Sequence, residues 1–215
     1  MYKEKKIIAI IPARGGSKGI PKKNIIDLAG KPLIAHTIES GKKSKHIDMI
    51  VVSTDDKEIE EVSKKYGVEV IQRPEEFAQD SSPTIDVIKH VIDVFEKQDE
   101  HFDIVVLLEP TSPLRKDDDI DKAIEVFVDN PDAESLVSLG EIALESPFIA
   151  KVVDNGFVIP LIKTDAKIYQ RQQLQKTYFP YGVVYMSKTK PLLETGTFYQ
   201  EKTTYYLIER WQNYE

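Results

Sequence analysis

The chain has 215 residues and no cysteine, is 41% hydrophobic and 30% charged, and carries a formal net charge of −7. This length suits one folded domain, and the composition excludes a fibrous or disordered chain, thiol catalysis and a cysteine zinc site. The longest apolar runs are far shorter than the roughly 18 residues of a membrane helix, no signal-peptide pattern opens the chain, and the acidic balance argues against nucleic-acid binding. We therefore expect a cytoplasmic domain whose partners include neither membranes nor nucleic acids.

The first two thirds of the chain alternate between strand-like and helix-like patterns. Four β-branched runs bounded by turn residues predict buried parallel strands at 6–12, 48–54, 68–73 and 103–110. Amphipathic patterns predict helices at 32–45, 57–66, 84–97 and 117–128, followed by a strand around 135–139. This alternation predicts an α/β fold with a doubly wound, mostly parallel sheet.

The character of the sequence changes after Gly140. Two short apolar alternations, 148–153 and 156–162, are joined through Asp-Asn-Gly, which is a strong hairpin signal. A strand at 178–187 then leads back to the sheet. The predicted segments are an α/β core over 1–140, a small β-rich lobe over 141–180 and a return to the core over 181–215.

The stretch ARGGSKGIPKKN, residues 13–24, is a basic island in an acidic protein. A strand that enters a glycine-rich loop presents backbone N–H groups to an anion, and Arg14 and Lys23 would add a fork-shaped and a point charge for a polyphosphate. The spacing matches neither the P-loop nor the dinucleotide fingerprint. The alternative is a surface turn with solvated lysines.

Two further polar loops follow predicted strands, where ligands of open α/β sheets bind. In RPEEFAQDSSPT, residues 73–84, Arg73, Ser82 and Thr84 could contact a base or sugar, although a serine here could equally cap the next helix. In LLEPTSPLR, residues 107–115, two prolines stiffen the loop and Glu109 and Arg115 offer charges to a ligand. The alternative for this second loop is a structural turn with a surface ion pair.

A fourth motif, YQRQQLQKTYFPYG at 169–182, combines Arg171 and two glutamines with aromatic side chains. These residues suit a sugar site or, alternatively, a subunit interface. The four histidines show no metal-ligand spacing. The acidic run at 116–121 is interpreted as a helix N-terminus rather than a metal site, because the helix dipole favours aspartate there.

Taken together and in this order, these motifs resemble those of the acylneuraminate cytidylyltransferases, or CMP-sialic acid synthetases. The resemblance spans nearly the whole chain. It implies a Rossmann-like nucleotidyltransferase fold and a reaction in which CTP and a nine-carbon 2-keto acid sugar give a CMP-sugar and pyrophosphate. It also implies a cytoplasmic homodimer that requires Mg²⁺, with each active site completed by the lobe of the neighbouring subunit.

The resemblance assigns roles to particular residues. Arg14 and Lys23 correspond to the catalytic phosphate ligands, and Arg171 to an arginine that reaches the sugar acid, across the dimer. The predicted nucleotide-binding residues are Ala13, Gly15, Ser17, Lys18, Asn24, Arg73, Ser82 and Thr84. The predicted sugar-binding residues are Glu109, Thr111, Ser112, Arg115, Arg171 and Gln172.

The chain also departs from the family pattern. Glu109 stands where sialic acid enzymes often have glutamine, and Phe179 and Tyr181 stand where they often have arginine and asparagine, which makes a legionaminic or pseudaminic type of sugar a candidate beside sialic acid. The family normally continues with an Ile-Asp-x-Asp-like segment that holds the metal, so we expect the chain to extend past Glu215 and leave the metal ligands unassigned. The alternatives are an enzyme that activates 3-deoxy-octulosonate and a nucleotide-binding protein without turnover.

Overall fold

The computed structural model describes residues 1–17, 19–142, 146–163 and 175–214. Its strands are β1 Ile7–Pro12, β2 Asp27–Leu28, β3 Lys31–Pro32, β4 Met49–Thr54, β5 Glu69–Gln72, β6 Ile104–Leu107, β7 Ser135–Glu141, β8 Lys151–Asp154, β9 Phe157–Pro160, β10 Tyr178–Lys188 and β11 Thr203–Leu207. Its helices are α1 Leu33–Lys43, α2 Lys57–Lys65, α3 Thr84–Glu96, α4 Asp119–Val128 and α5 Thr189–Thr195. Short 3₁₀ helices occupy Lys23–Ile25, Glu75–Phe77 and Arg210–Asn213.

One seven-stranded sheet organises the described residues, in the spatial order β11, β7, β10, β6, β1, β4, β5. β1 pairs in parallel with β4 and β6, β4 pairs in parallel with β5, and β7 pairs in parallel with β11. Only β10 within this sheet runs antiparallel, to both β6 and β7. The predicted doubly wound, mostly parallel sheet is therefore confirmed.

The strictly apolar sequence of β1 is explained by burial on both faces of the sheet. Ile7, Ala9 and Ile11 pack into one hydrophobic cluster together with α1 and α4, whereas Ile8 and Ile10 pack into a second cluster together with α3. Successive side chains of a strand point to opposite faces, so a strand covered by helices on both sides needs an apolar residue at every position. This is the residue pattern that separates β1 from a half-exposed strand.

The direction of the strands places the polar loops together. β1, β4, β5 and β6 are mutually parallel, so their carboxyl ends lie at one edge of the sheet. The segments 13–24, 73–84 and 108–115 follow β1, β5 and β6 respectively. Three loops that are distant in sequence therefore meet at the edge where open α/β sheets bind ligands.

The predicted hairpin is present as β8 and β9. Asp154 pairs with Phe157, which leaves a two-residue turn of Asn155 and Gly156, and both have positive φ angles, 48° and 82°. That combination is a type I′ turn, which matches the twist of a hairpin and favours Asn-Gly. The division of the chain into three segments stays a prediction, although β7 and β10, which flank the predicted lobe, both belong to the main sheet.

The sequence patterns did not predict α5 or β11. α5 has seven residues and contains Pro191, so it lacks the length that makes helical periodicity visible. β11 is an edge strand with the exposed side chains Tyr205 and Leu207, and an edge strand of mixed exposure shows no clean alternation. Within the described part of the chain, no helix combines the length and apolarity needed to cross a membrane.

Candidate functional site

A cavity of about 670 Å³ opens at the carboxyl edge of the sheet, between the loops that follow β1, β5 and β6. Its walls include side chains from all three polar loops, and other wall positions are apolar, such as Ile20 and Val87. These loops were predicted to carry the candidate residues because each loop follows a predicted strand. The predicted site residues that line this cavity are Arg14, Ser17, Lys23, Asn24, Arg73, Ser82, Thr84, Glu109 and Thr111.

The first loop is held in place by polar contacts from its neighbours. The amide of Gly15 donates a hydrogen bond to Asp55 Oδ1 at 3.0 Å, and Asn24 Nδ2 donates to the carbonyl of Arg14 at 2.9 Å. Asn24 is buried. Both contacts fix the loop before any ligand arrives, which lowers the entropy cost of binding. Asp55 follows β4, and the sequence motifs gave no role to this residue.

The two adjacent glycines of this loop have different surroundings. A Cβ atom on Gly15 would lie 2.6 Å from Asp56 Oδ2 and 2.8 Å from Asp56 Cβ, whereas no heavy atom lies within 4 Å of the corresponding position on Gly16. The Asp56 side chain is not free to move away, because it caps α2 by accepting a hydrogen bond from the amide of Ile59 at 3.0 Å. Gly15 therefore permits a close approach between the loop and the start of α2.

Arg14 connects the first loop to the second across the cavity. Its Nη1 donates to the carbonyl of Gln79 at 3.0 Å, and its Nη2 forms an ion pair with Asp80 Oδ1 at 2.8 Å. The Arg14 side chain is still 31% exposed. Because two contacts occupy only part of the five-donor guanidinium, Arg14 can keep both and present its remaining N–H groups to an anion.

Arg73 is a second cation in the wall of the cavity. It is 5% exposed, and its Nη2 donates to the carbonyl of Ser53 at 2.7 Å. Burial lowers the pKa of the Arg73 guanidinium to about 10, a shift opposed by nearby Asp55 and assisted by Arg14. A pKa of about 10 still leaves this side chain charged at neutral pH.

The neighbouring residues Lys22 and Lys23 lie on different sides of the loop, one on the surface and one in the cavity wall. Lys22 Nζ pairs with Glu58 at 2.5 Å on the surface, whereas Lys23 lines the cavity. Among the residues that the structure describes, no carboxylate lies within ion-pair distance of Lys23 Nζ. The positive φ of Lys22, 53°, turns the chain so that the two consecutive side chains diverge.

A second, smaller cavity of about 300 Å³ adjoins the first and shares Thr84 and Glu109 with it. Its walls are largely aromatic and aliphatic, with contributions from Leu107, Tyr185 and Phe198. Burial raises the pKa of the Tyr199 phenol, which keeps this lining group neutral. The geometry therefore provides a polar, cationic compartment and a more apolar compartment that meet at Thr84 and Glu109.

Other predicted residues lie elsewhere. Ala13 is fully buried in the core, and Gly15 packs against Asp56 and is not one of the residues that line the cavity. Ser112 and Arg115 are also buried, and the Arg115 side chain donates to backbone carbonyls of Gly182 and Val183, so Arg115 does not occupy the surface position that the alternative for this loop assumed. Ser82, which does line the first cavity, does not cap α3, because Pro83 occupies the N-cap position and no side chain caps the helix. The Ser82 hydroxyl donates to the carbonyl of Glu76 at 2.9 Å. Lys18, Arg171 and Gln172 lie outside the described residues.

Several lining residues were missed by the sequence analysis. Gln79 and Asp80 belong to the loop 73–84, in which Arg73, Ser82 and Thr84 were predicted as ligand contacts. No sequence pattern indicates that Gln79 and Asp80 lie beside Arg14, because that contact joins segments distant in the chain. The aromatic residues of the second cavity come from β10 and from the segment after α5, which the sequence did not connect with the strand-end loops. The missed lining residues include Phe77, Gln79, Asp80, Val87, Tyr185, Phe198 and Tyr199.

The described residues do not form a preformed Mg²⁺ site. The first cavity contains the carboxylates of Asp80 and Glu109, and Asp80 is paired with Arg14. Across the described ranges, no group of three or more His, Cys, Asp or Glu side chains converges as a metal site would require. The acidic run after Arg115 serves the fold instead, because Asp119 at the start of α4 is buried and accepts hydrogen bonds from Tyr206 and Gln212.

Comparison with known proteins relates this geometry to a family. A family model described as Cytidylyltransferase matches residues 8–213. The chain is 36% identical over 207 residues to the N-acylneuraminate cytidylyltransferase of Streptococcus agalactiae, covering 95% of this chain and 49% of the relative. It is 38% identical to the CMP-N,N'-diacetyllegionaminic acid synthase of Legionella pneumophila, covering 92% of this chain and 84% of that one. The pseudaminic acid cytidylyltransferase of Campylobacter jejuni is 34% identical, with 95% and 88% covered.

The fold is also found among solved structures. A CMP:2-keto-3-deoxy-manno-octonic acid synthetase complexed with CTP superimposes with a TM-score of 0.70 at 19% identity, covering 95% of this chain and 90% of that one. At this identity the likeness establishes the shared fold alone. The chain spans about half the length, 49%, of the streptococcal relatives that it matches.

Proposed function

The chain belongs to the cytidylyltransferase family, and we propose that it activates a nine-carbon 2-keto acid sugar with CTP, releasing a CMP-sugar and pyrophosphate. The observation that carries the proposal is the pair of adjoining cavities that share Thr84 and Glu109. One compartment is cationic and the other is lined by aromatic residues, as a transfer between a triphosphate and a sugar requires. The relatives named for sialic, legionaminic and pseudaminic acids support this class of sugar.

The first cavity would hold the nucleotide. Arg14 and Lys23 provide charge from the first loop, and Arg73 adds a charge fixed by the backbone of Ser53. These cations neutralise the triphosphate and the charge that develops as pyrophosphate leaves. Asn24 fixes the loop through the Arg14 carbonyl, so in this geometry it acts on the nucleotide through Arg14.

The second cavity would hold the sugar, with Glu109 at its junction with the first. The anomeric hydroxyl oxygen forms a bond with the α-phosphorus as the bond from that phosphorus to the pyrophosphate oxygen breaks, and the hydroxyl proton is released to solvent. The protein's main contribution is to bring the two reacting atoms into line and to stabilise negative charge. Thr84 and Glu109 stand at the meeting point of the two compartments.

Mg²⁺ is part of the proposal through the family resemblance. When bound, it would supply charge neutralisation at the phosphates, and Mg²⁺ on a nucleotide takes most of its ligands from phosphate oxygens and water. The described residues show no preformed site for it, so we assign it no step. A cytoplasmic location is likewise proposed from the composition, because a chain without cysteine has no need of an oxidising compartment.

A homodimer is proposed from the exposed surface of the β8–β9 hairpin. Val153 is 77% exposed, Phe157 74% and Val158 69%, so the described part of the lobe presents apolar side chains from both strands to solvent. Exposed apolar patches of this kind mark interaction surfaces. A second copy of the chain is the partner that the family resemblance suggests, and its lobe would then complete the neighbouring site.

Pyrophosphate release tests the proposed function. The protein is incubated with CTP and, in turn, sialic, legionaminic, pseudaminic and 3-deoxy-octulosonic acids, each with Mg²⁺ and with EDTA. We expect release with at least one nine-carbon acid in the presence of Mg²⁺, and formation of the CMP-sugar in equal amount. CTP binding by calorimetry without release in any mixture would favour a binding protein, and release with the octulosonic acid alone would favour the other sugar class.

A further inference from the structure

Arg115 is a buried charge that binds the loop carrying Glu109. The residue is 9% exposed. Its Nη2 donates to the carbonyl of Glu109 at 2.7 Å, and its Nη1 donates to the carbonyl of Ser112 at 2.8 Å and to Thr37 Oγ1 at 2.9 Å. The two carbonyls begin and end the turn 109–112, and Thr37 belongs to α1. The guanidinium therefore fixes this turn from behind.

The same guanidinium also binds β10. Nη2 donates to the carbonyl of Gly182 at 2.8 Å, and Nε donates to the carbonyl of Val183 at 2.5 Å. Together with the contacts to the turn, these bonds use all five N–H groups of the side chain. A lysine has three donors on a single nitrogen and cannot span the same set of acceptors. Arg115 thus connects α1, the turn 109–112 and β10.

The contact between the turn and β10 is tight on the side that faces the cavities. A Cβ atom on Gly182 would lie 2.1 Å from Glu109 Oε2 and 2.9 Å from Ser112 Oγ. The Glu109 side chain therefore packs directly against the β10 backbone. Tyr185, three residues further along β10, lines the second cavity, and Glu109 lines both. The Glu109 side of the wall between the two compartments is therefore built from elements that Arg115 joins, whereas Thr84, at the start of α3, forms the other side.

We propose that Arg115 is a positioning residue. It holds the Glu109 side of the wall between the two cavities in place and thereby controls how the sugar is oriented towards the nucleotide. This inference rests on the function proposed above and deepens it. Arg115 touches neither cavity, so it acts through the backbone of Glu109 and Gly182. The cations of the first cavity, Arg14 and Lys23, stand on a loop that Arg115 does not contact. Loss of Arg115 should therefore affect the sugar much more than CTP.

The first test compares Arg115→Lys with Arg210→Lys, a control at an exposed arginine. We expect Arg115→Lys to raise KM for the sugar about tenfold, as expected when one or two hydrogen bonds to a charged group are lost, and to lower kcat, while Kd for CTP stays within about twofold. Arg210→Lys should leave all three constants unchanged. A fall in kcat that matches a smaller folded fraction, with both KM values unchanged, would reduce Arg115 to a purely structural role and overturn the proposal.

A milder variant covers the case in which Arg115→Lys fails to fold. Thr37→Val keeps the shape of the side chain and removes one acceptor of Arg115, so we expect the same selective rise in KM for the sugar at smaller size. Amide hydrogen exchange without substrate should be faster at the amides of 109, 111 and 112 and at 182–183 in each variant that folds. Unchanged exchange at these amides would contradict the proposed role of Arg115. If the wild type shows no turnover while the variants still show faster exchange, only the proposed function is contradicted.

Discussion

At the scale of single residues, Lys22 and Lys23 show how the backbone separates two chemically identical neighbours. We predict that Lys23→Ala lowers kcat/KM for CMP-sugar formation by ~100-fold or more, because the cavity loses the cation that we propose neutralises the leaving pyrophosphate. Lys22→Ala removes an equal charge on the surface side and should change the rate by less than about twofold. Steady-state kinetics of both variants, with circular dichroism to check folding, would decide; equal losses would contradict the assignment of Lys23.

The adjacent glycines of the same loop, Gly15 and Gly16, provide a second pair of test and control variants. Gly15→Ala should weaken CTP binding at least about tenfold, because the new Cβ would collide with Asp56, which cannot retreat without uncapping α2. Gly16→Ala meets open space and a negative φ angle, so its affinity should stay close to that of the wild type. Isothermal titration with CTP measures both, and a strong effect at Gly16 with none at Gly15 would refute this account of the loop.

At the scale of elements, Asp119, in the acidic run at the start of α4, stabilises the packing of the C-terminal part against the sheet. Asp119 is 1% exposed and accepts from the Lys116 amide at 2.7 Å, from Tyr206 Oη at 2.9 Å and from Gln212 Nε2 at 2.5 Å. Burial, followed by the hydrogen bond to Asp119, raises the pKa of the Tyr206 phenol, so Tyr206 stays protonated and can donate. One carboxylate thus connects α4, β11 and the 3₁₀ helix at Arg210–Asn213.

We predict that Asp119→Ala lowers the free energy of unfolding by about 3 kcal/mol, because it leaves buried donors without acceptors. Asp118→Ala is the control, since Asp118 is exposed and pairs only with Lys122 four residues along α4 among the described residues. It should leave the urea midpoint essentially unchanged. Urea unfolding followed by tryptophan fluorescence reports on both variants, and similar midpoints for the two would show that the Asp119 network contributes little.

At the scale of the whole molecule, the exposed β8–β9 hairpin is the surface through which we propose that two copies of the chain associate. Val158→Glu places a charge in the centre of the exposed apolar surface, next to its cross-strand partner Val153. We expect this variant to elute as a monomer in size-exclusion chromatography with light scattering, and to lose activity if the neighbouring lobe completes the site. Val126→Glu, at an exposed apolar position on α4, should remain dimeric. A monomeric wild type would disprove the dimer.

The sequence by itself determined the fold class and the edge of the sheet where the candidate site lies. Burial on both faces forces apolar residues at every position of β1, and Asn155 and Gly156 satisfy a turn that needs two positive φ angles, so these features can be seen in the local sequence. The candidate residues on the strand-end loops followed from the strand order, because parallel strands end at one edge. α5 and β11 were not predicted, since a short helix and an exposed edge strand carry little periodic signal.

Only the tertiary structure decided how individual side chains are used. The sequence placed Arg115 at the sugar, but folding brings β10 antiparallel beside β6, and five acceptors from three elements then surround this guanidinium. Arg14 and Asp80 pair across 66 residues, and Lys22 and Lys23 diverge because of one positive φ angle. Such contacts depend on distances between segments that are remote in sequence, and a pattern of residue types along the chain does not contain those distances.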